Sequence, residues 1–435
     1  MALLKPILLE PRSSSNWGSC LTIMPNLVSA YRHAYGEIVE TIEYGKDSSS
    51  VDVLKAAMEV FEKAPSHLIF LDHQKHPLDF FIALDSVYGR RSWPTLIFHV
   101  YGDFTLNTPK WKAAQRLLRH KRVQFVCASP RQRQLIAEFV VGGEQRTSVC
   151  PFPISRNEFS FDSKLRAEMR ARFVRSSDEF LIVYTGRLSA QKNILRTIWE
   201  VAQNASKEKI PFRFLLAGSF DDMGHPFFGL HQTPNSYYGG YVKLLENLPE
   251  ALRARVEYIG QLGKPELREL YNASDLFVSL STHHDEDYGM SPIEALCCGV
   301  PALISDWGGF AGFALDSSVR LLPVRLSPTG ATIETKTFGA DLQSFYRQSI
   351  NQTNLDRSIR AEHYSTAFSI EAGSEIVRSL LVEDTPNFRG FTPLLDSHAV
   401  LYGKMTSLGR MFVPGKKIDP NYKKFYRHYC SETSR

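Results

Sequence analysis

The chain has 435 residues, of which 43% are hydrophobic and 22% are charged. This composition is typical of a globular protein and excludes a disordered, collagenous or fibrous chain. The formal net charge is +5, but residues 401–435 alone carry eight Lys and Arg against two Asp and Glu. The rest of the chain is therefore nearly neutral, which argues against a general nucleic-acid binder.

Apolar runs along the chain are short. None approaches the ~18 residues that a membrane-spanning helix needs. The N-terminal run Ile7-Leu8-Leu9 is too short for the core of a signal peptide. The six cysteines have no metal-ligand spacing. We therefore expect a cytoplasmic protein with reduced thiols and no bound metal.

The first half alternates short apolar runs with segments of helical period. Strands are predicted over 6–10, 38–44, 67–72, 95–100 and 122–129. Helices are predicted over 51–64 and 130–141, where apolar residues recur every three or four positions. Nearly continuous apolar strands separated by helices are typical of a parallel sheet that is covered on both faces.

The second half repeats this alternation after a boundary near 151–178. Its strands are predicted over 179–185, 212–217, 255–259, 276–281 and 301–305, and its helices over 191–204, 265–274 and 292–298. Residues 220–240 are rich in Gly, Pro and aromatic residues and predict a long insertion loop. Ten strands in two sets of five predict an α/β chain with two Rossmann-like domains.

A glycine and two cations follow the strand predicted over 179–185. They are Gly186, Arg187 and Lys192. Glycine lets the backbone approach a ligand closely, and cations at the start of a helix suit phosphate groups. In doubly wound sheets, ligands bind beyond the carboxyl ends of the strands, so this segment is a candidate phosphate site. The alternative is a turn with two solvated cations, because the segment is not a P-loop.

The segment 283–299 lies between two predicted strands. Pro292 suits the first turn of a helix and Gly299 suits its C-terminal end. Helix 292–298 would therefore direct its N-terminus to the same edge as the two cations. Glu286 lies in the preceding loop, and Glu294 lies one turn inside the helix.

Two other interpretations of this segment are open. Ser291 and Glu294 fit a capping box, in which the Glu side chain only accepts a hydrogen bond from the backbone at the helix start. Alternatively, an acidic cluster with two histidines could hold a divalent metal. That cluster consists of His283, His284, Asp285 and Asp287.

The E-x7-E pattern of Glu286 and Glu294, followed by EALCCGVPALISDWGG, resembles the signature of retaining family-4 glycosyltransferases with the GT-B fold. GRLSAQKN is similar to that family's Gly-Arg-Leu…Lys segment, and VEYIGQLGKPELRELYNASDLFVSLS is similar to the stretch that leads into the signature. In the first half, VCASPRQRQLI resembles the family's strand–serine–helix element. The resemblance implies a GT-B fold with two Rossmann-like domains facing a central cleft.

The resemblance also implies roles for these side chains. Arg187 and Lys192 grip the diphosphate of a sugar nucleotide and stabilise the leaving group in place of a metal. Glu294 binds the ribose hydroxyls, and Glu286 contacts the transferred sugar. Further donor-binding candidates are Gly18, Gly186, Gln261, Leu262, Gly289, Met290 and Ser291. The usual glycine after the first Glu is replaced by Asp287, and the loop 13–19 has one glycine where the family commonly has two.

In the first half, His99 closes a predicted strand, and the resemblance places a catalytic histidine there beside the donor sugar. The alternative is a histidine that is simply satisfied within the core. Asp72, His73 and Asp103 also follow strand ends, and we expect them on the acceptor side.

The resemblance implies a retaining, hexosyltransferase-like glycosyltransferase that moves a sugar from a nucleoside diphosphate to an acceptor hydroxyl of a glycan, lipid or small molecule. No cofactor is expected beyond the sugar nucleotide, which is a substrate. The alternatives are a non-catalytic sugar-nucleotide-binding protein and another GT-B enzyme such as a sugar-nucleotide epimerase.

The predicted domains are an N-terminal acceptor-side domain over 1–155, a donor domain over 156–365 and a C-terminal helical segment with a basic-aromatic tail over 366–435. Two interpretations of the tail are open. It packs back on the N-terminal domain, or residues 401–435 make peripheral contact with anionic lipid at the inner face of the membrane.

Overall fold

The computed structural model of the chain describes residues 4–10, 20–44, 48–71, 77–100, 104–222, 235–283, 286–327, 330–407 and 421–431. The chain folds into two compact units. The first unit consists of Met1–Pro153 and Phe368–Lys404, and the second of Ile154–Ala367 and Met405–Arg435.

The first unit is built on a parallel sheet of six strands in the order β2-β1-β3-β4-β5-β6. The strands are β1 (Pro6–Glu10), β2 (Glu40–Glu43), β3 (His67–Phe70), β4 (Thr95–Val100), β5 (Val123–Cys127) and β6 (Thr147–Val149). Every residue of β3, β4 and β5 is buried. Helices that cover the sheet explain why these inner strands are buried along their whole length and mostly apolar.

The helices of the first unit flank this sheet. They are α1 (Cys20–Tyr35), α2 (Ser50–Lys63), α3 (Leu78–Tyr88), α4 (Thr108–Leu118) and α5 (Pro130–Phe139), and their starts follow local signals. Ser49 and Asp52 form a capping box at α2. At α5, the Ser129 side chain accepts from the backbone N–H of Gln132, and Pro130 occupies the first turn, where its missing N–H costs no intrahelical bond.

The second unit is built on another parallel sheet of six strands, in the order β12-β11-β10-β7-β8-β9. The strands are β7 (Phe180–Thr185), β8 (Phe212–Ala217), β9 (Val256–Tyr258), β10 (Leu276–Ser279), β11 (Ala302–Ser305) and β12 (Val319–Leu322). A separate antiparallel hairpin consists of β13 (Val324–Ser327) and β14 (Gly330–Ile333).

The helices of the second unit include the elements that carry the candidate site. They are α6 (Ser163–Phe173), α7 (Ile194–Lys207), α8 (Ser236–Glu246), α9 (Glu250–Arg253), α10 (Lys264–Ala273), α11 (Met290–Cys297), α12 (Phe338–Asn351) and α13 (Asn354–Ala367). The prediction of an insertion loop over 220–240 is wrong for its last residues, because α8 begins at Ser236. Residues 223–234 of that loop lie outside the described part of the chain.

Each described sheet has one more strand than the sequence predicted. The additional strands, β6 and β12, are edge strands of three and four residues. β6 contains two polar residues, and β12 contains an exposed Arg320. Such short, mixed runs do not have the continuous apolar pattern by which the inner strands were predicted.

The end of the chain is divided between the two units. The chain returns to the first unit at Phe368. This part contains α14 (Ile370–Val382), which packs against α1, and most of α15 (Pro393–Ser407). The helix α16 (Asn421–Tyr426) belongs to the second unit. The expectation that the whole segment 366–435 packs on the N-terminal domain is therefore corrected for its last part. No helix in the described parts of the chain combines the length and hydropathy of a membrane span.

Candidate functional site

The strand order of the second sheet reverses between β7 and β10, which are parallel neighbours. The connections from two such strands lead to opposite faces of the sheet, and ligands bind in the crevice left outside their carboxyl ends. β7 is followed by Gly186 and the two cations, and β10 is followed by the loop with Glu286. The segment with the two cations and the segment with Glu286 therefore follow adjacent strands, at the position where ligands are expected.

Gly186 brings the end of β7 close to the first turn of α11. Its φ of +129° belongs to a backbone conformation that side chains rarely adopt. A Cβ atom there would lie 3.1 Å from the Tyr184 hydroxyl and 3.7 Å from Ser291 Oγ. The Tyr184 hydroxyl donates to the carbonyl of Arg187 at 2.9 Å, which fixes the turn that follows Gly186.

Arg187 is held by two acceptors in the second unit. Its guanidinium donates to Asp221 Oδ2 at 2.6 Å and to Gln191 Oε1 at 3.0 Å. Asp221 lies beyond the end of β8, which is a neighbour of β7 in the sheet. The connections that follow three adjacent strands, β10, β7 and β8, therefore contribute side chains to this edge. The side chain of Arg187 is a quarter exposed, and these hydrogen bonds fix its position.

Lys192 forms an ion pair with Glu286. Its Nζ lies 2.5 Å from Glu286 Oε2, and Ser281 Oγ donates to the same carboxylate oxygen at 2.5 Å. Burial lowers the pKa of Lys192, Glu286 opposes this shift, and the neighbouring charge of Arg187 adds to it. The cation and the carboxylate thus meet across the loops that leave β7 and β10.

Asn193 fastens these two loops together. It adopts the left-handed conformation with φ of +53°, which ends the short helical turn before α7. Its side-chain amide donates to the carbonyl of Leu280 and to Thr282 Oγ1, each at 2.8 Å. Asn tolerates this conformation better than most residues, so the local turn and the contact between loops depend on one side chain.

Glu294 is buried inside α11 and is 7% exposed. The Tyr271 hydroxyl donates to its Oε2 at 3.2 Å, and Thr185 Oγ1 lies 2.5 Å from that hydroxyl. Burial raises the pKa of Glu294 to about 7, although the hydrogen bond from Tyr271 acts in the opposite direction.

Helix α11 begins at Met290, two residues earlier than predicted, and Gly289 with φ of +110° precedes it. No side-chain hydrogen bond caps this N-terminus. The capping-box interpretation of Ser291 and Glu294 is therefore wrong, because the Glu294 carboxylate accepts from Tyr271 instead. The first-turn N–H groups of a helix have no intrahelical acceptor and suit an anion.

The loop before α11 is held by the segment that follows β11. Trp307 Nε1 donates to the carbonyl of His283 at 2.6 Å, and the backbone N–H of Gly309 donates to that of Glu286 at 2.7 Å. Ser305 Oγ donates to the carbonyl of Ser281 at 2.5 Å. Three hydrogen bonds to backbone carbonyls thus fix the path of the loop that carries Glu286.

The other donor-side candidates in the second unit lie at the same end of the sheet. Met290 and Ser291 form the first turn of α11. Gln261 is exposed and Leu262 is half-buried in the connection between β9 and α10. No group of three His, Cys, Asp or Glu residues in the described ranges could hold a metal ion. The metal interpretation also involved His284 and Asp285, which lie outside those ranges.

In the first unit, His99 lies in β4 and is 1% exposed. Its Nε2 lies 2.8 Å from the hydroxyl of Tyr31 on α1. Burial lowers the pKa of His99 to about 3, so its imidazole is neutral at physiological pH. The predictions for Gly18, Asp72, His73 and Asp103 fall on residues outside the described part of the chain.

Sequence reasoning missed several side chains that position the site. Asp221 holds Arg187, Ser281 holds Glu286 and Tyr271 holds Glu294. Asp221 and Ser281 each lie within four residues of a strand end, so a search of every strand end for polar residues could have found them. Tyr271 lies on the mixed polar and apolar helix α10, and no local signal distinguishes it.

The two parallel six-stranded sheets with flanking helices define a GT-B fold, as the sequence predicted. The fold is shared with a crystal structure of Anabaena HepE in complex with UDP, which has a TM-score of 0.63 and 17% identity over 87% of this chain and 99% of that one. A glycosyltransferase from Rickettsia africae gives a TM-score of 0.61 with 14% identity, over 88% of this chain and all of the other. At these identities the likeness concerns the fold alone.

Residues 166–323 match the model of the family described as glycosyl transferases group 1. A protein of Methanocaldococcus jannaschii named as an uncharacterised glycosyltransferase is 28% identical over 159 residues. That match covers 35% of this chain and 35% of the length of the relative. Both findings support the general prediction of a glycosyltransferase, and the family match includes Arg187, Lys192, Glu286 and Glu294.

Proposed function

We propose that this protein is a retaining, hexosyltransferase-like glycosyltransferase that moves a sugar from a nucleoside diphosphate to an acceptor hydroxyl. The observation that carries the proposal is the convergence of two cations, two carboxylates and the start of α11 at one end of the second sheet. A diphosphate needs cations and N–H donors, whereas ribose and sugar hydroxyls need carboxylate acceptors. Both sets of groups are present side by side.

In this proposal, Arg187, Lys192 and the first turn of α11 hold the diphosphate. The two cations pair with Asp221 and Glu286, so their charges are balanced within the protein and their side chains are preorganised. As the bond to the sugar breaks, negative charge grows on the leaving diphosphate, and fixed cations stabilise that charge without a metal ion.

The carboxylates hold the two hydroxyl-bearing parts of the donor. Glu294 accepts from the ribose hydroxyls, and Glu286 contacts the sugar. A hydroxyl that donates to Glu294 stabilises the ionised carboxylate, so donor binding favours loss of the proton that burial retains. His99, which is neutral, acts as a hydrogen-bonding group held by Tyr31 rather than as a cationic acid.

The sequence indicates no residue as a covalent nucleophile, so the proposed chemical step does not use one. We propose that the diphosphate departs first and that the acceptor hydroxyl attacks the same face of the sugar, with a phosphate oxygen accepting the proton of that hydroxyl. The configuration of the sugar is then retained without a covalent enzyme intermediate.

The proposal is tested by a thermal-shift panel of UDP, GDP and ADP and their sugar conjugates, with and without Mg²⁺. We expect one nucleotide series to raise the melting temperature equally in both conditions. The sugar nucleotide that binds is then incubated with the enzyme, and released diphosphate and transfer product are measured. Binding without turnover would indicate a non-catalytic protein, epimerised donor would indicate an epimerase, and no binding by any nucleotide would refute the proposal.

A further inference from the structure

Residues 421–431 pack against the loop that carries Glu286. The Tyr429 hydroxyl donates a hydrogen bond to Asp287 Oδ1. The ring of Tyr429 meets Trp307 edge-on, with centroids 5.5 Å apart. The backbone N–H of Ser431 donates to Asp306 Oδ2 at 3.3 Å. The last described part of the chain thus contacts both the loop and the segment that fastens it.

The burial of Asp287 explains why a tyrosine hydroxyl donates to it. This carboxyl group is 5% exposed, and a buried carboxylate is costly unless donors satisfy it. Tyr429 supplies a donor from a rigid, buried ring that is 1% exposed. Because Asp287 follows Glu286 directly, fixing its side chain also restrains the backbone from which Glu286 extends.

The packing around Gly308 supports the same conclusion. Its φ is +54°, and an added Cβ would collide with the carbonyl of Glu286 and lie 3.3 Å from the ring of Tyr429. The backbone of the Glu286 turn, Gly308 and the tyrosine ring are therefore stacked in direct succession. Movement of the ring would leave one side of this stack unsupported.

We propose that Tyr429 is a positioning residue for the sugar end of the donor site. Through Asp287 it holds the turn that presents Glu286 to the sugar. This inference rests on the proposed function, since only a sugar-nucleotide site gives Glu286 that task. Of the groups proposed to hold the nucleotide, Arg187 and Glu294 are positioned by Asp221 and Tyr271, whereas Lys192 pairs with Glu286 itself. The contribution of Tyr429 therefore concerns the sugar more than the nucleotide.

The test uses the full chain and the variant Tyr429→Phe, which removes the hydroxyl and keeps the ring. The sugar nucleotide found in the panel is used to measure kcat and KM, and the corresponding nucleoside diphosphate is used to measure Kd by calorimetry. We expect kcat to fall about tenfold, in line with a lost hydrogen bond to a charged group, while the Kd of the diphosphate changes less than about twofold.

A double-mutant cycle tests whether Tyr429 acts through Asp287. Asp287→Ala should reduce kcat as Tyr429→Phe does, and the double variant should be no worse than either single variant. Asp287→Asn keeps an acceptor for the Tyr429 hydroxyl and should retain most of the activity. Tyr364→Phe is the matched control, because the hydroxyl of this buried tyrosine also donates to a carboxylate, that of Asp316 at 3.2 Å.

The outcomes separate this inference from the proposed function. If the wild-type chain binds no sugar nucleotide, the proposed function and the role of Tyr429 both fail. If the wild type is active and Tyr429→Phe retains its kcat, only the role of Tyr429 is refuted. An equal loss of diphosphate affinity, or effects of Tyr429→Phe and Asp287→Ala that add, would also refute it. Should Tyr429→Phe fail to fold, the contrast between Asp287→Ala and Asp287→Asn still decides the question.

Discussion

The carboxyl group of Glu294 is buried and accepts a hydrogen bond from Tyr271, and burial raises its pKa to about 7. In the unfolded chain the group titrates near its ordinary value of 4.5. Between these two values the folded protein keeps a proton that the unfolded chain releases. The free energy of unfolding therefore decreases as pH rises from about 4.5 to about 7, and the contribution is lost above that window.

We predict that Glu294→Gln becomes more stable relative to the wild type as pH rises. The uncharged amide avoids the cost of a buried carboxylate, and the difference in unfolding free energy between pH 5 and pH 8 should be at most roughly 3 kcal/mol. Urea unfolding of both proteins at several pH values measures it. A difference that stays constant with pH would mean that Glu294 is solvated and ionised throughout.

The two cations at the end of β7 give a prediction for catalysis. Arg187→Ala and Lys192→Ala should each lower kcat/KM by at least about 100-fold, because each removes a fixed positive charge from the leaving group. Lys207→Ala is the control. This exposed lysine lies at the C-terminal end of α7, whereas Lys192 lies just before the start of the same helix. Near-normal turnover in both site variants would exclude a role for these cations at the diphosphate.

At the scale of elements, the loop between β10 and α11 depends on the glycines after β11. Gly308→Ala places a methyl group against the carbonyl of Glu286 at a backbone φ of +54°, so the loop must shift. We predict a loss of about 1–3 kcal/mol of stability together with lower activity.

Gly239→Ala is the matched control for this loop prediction. Gly239 lies in α8 with open space around it, so alanine there should stabilise the protein by up to about 1 kcal/mol. Melting temperatures and kcat of both variants are compared with those of the wild type. If Gly308→Ala melts like Gly239→Ala and stays fully active, the glycine is not needed to fix the loop.

At the scale of the whole molecule, the positive charge is concentrated in the tail. In its described part, Lys423 and Lys424 are exposed, whereas Phe425, Tyr426 and Tyr429 are buried in the protein. The aromatic residues are thus occupied by packing, and membrane contact would depend on cations that contribute about 1 kcal/mol each.

We therefore predict weak, salt-sensitive binding to anionic vesicles. Full-length protein should co-sediment with phosphatidylserine vesicles in low salt and dissociate at physiological ionic strength, where screening acts within about 8 Å. Lys423→Glu with Lys424→Glu should weaken the binding, and neutral vesicles provide the control. Binding that persists in high salt would instead indicate insertion of apolar groups into the lipid.

The sequence by itself determined the alternation of strands and helices, because period and apolar runs are local properties that burial imposes on each segment. It also indicated four candidate site side chains, Arg187, Lys192, Glu286 and Glu294, which stand near strand and helix ends. Their assignment to a nucleotide-sugar site remains a prediction until ligand binding is measured.

Only the tertiary structure decided which of these segments meet. The reversal of strand order places the connections after β7 and β10 side by side, although 94 positions separate Lys192 from Glu286. It also supplied partners that no local pattern indicates, such as Tyr429, which lies 142 positions from Asp287. Spacing along the chain reports the contacts within a helix or turn, whereas contacts between distant residues follow from how the elements pack, and it is packing that fixes the charges of this site.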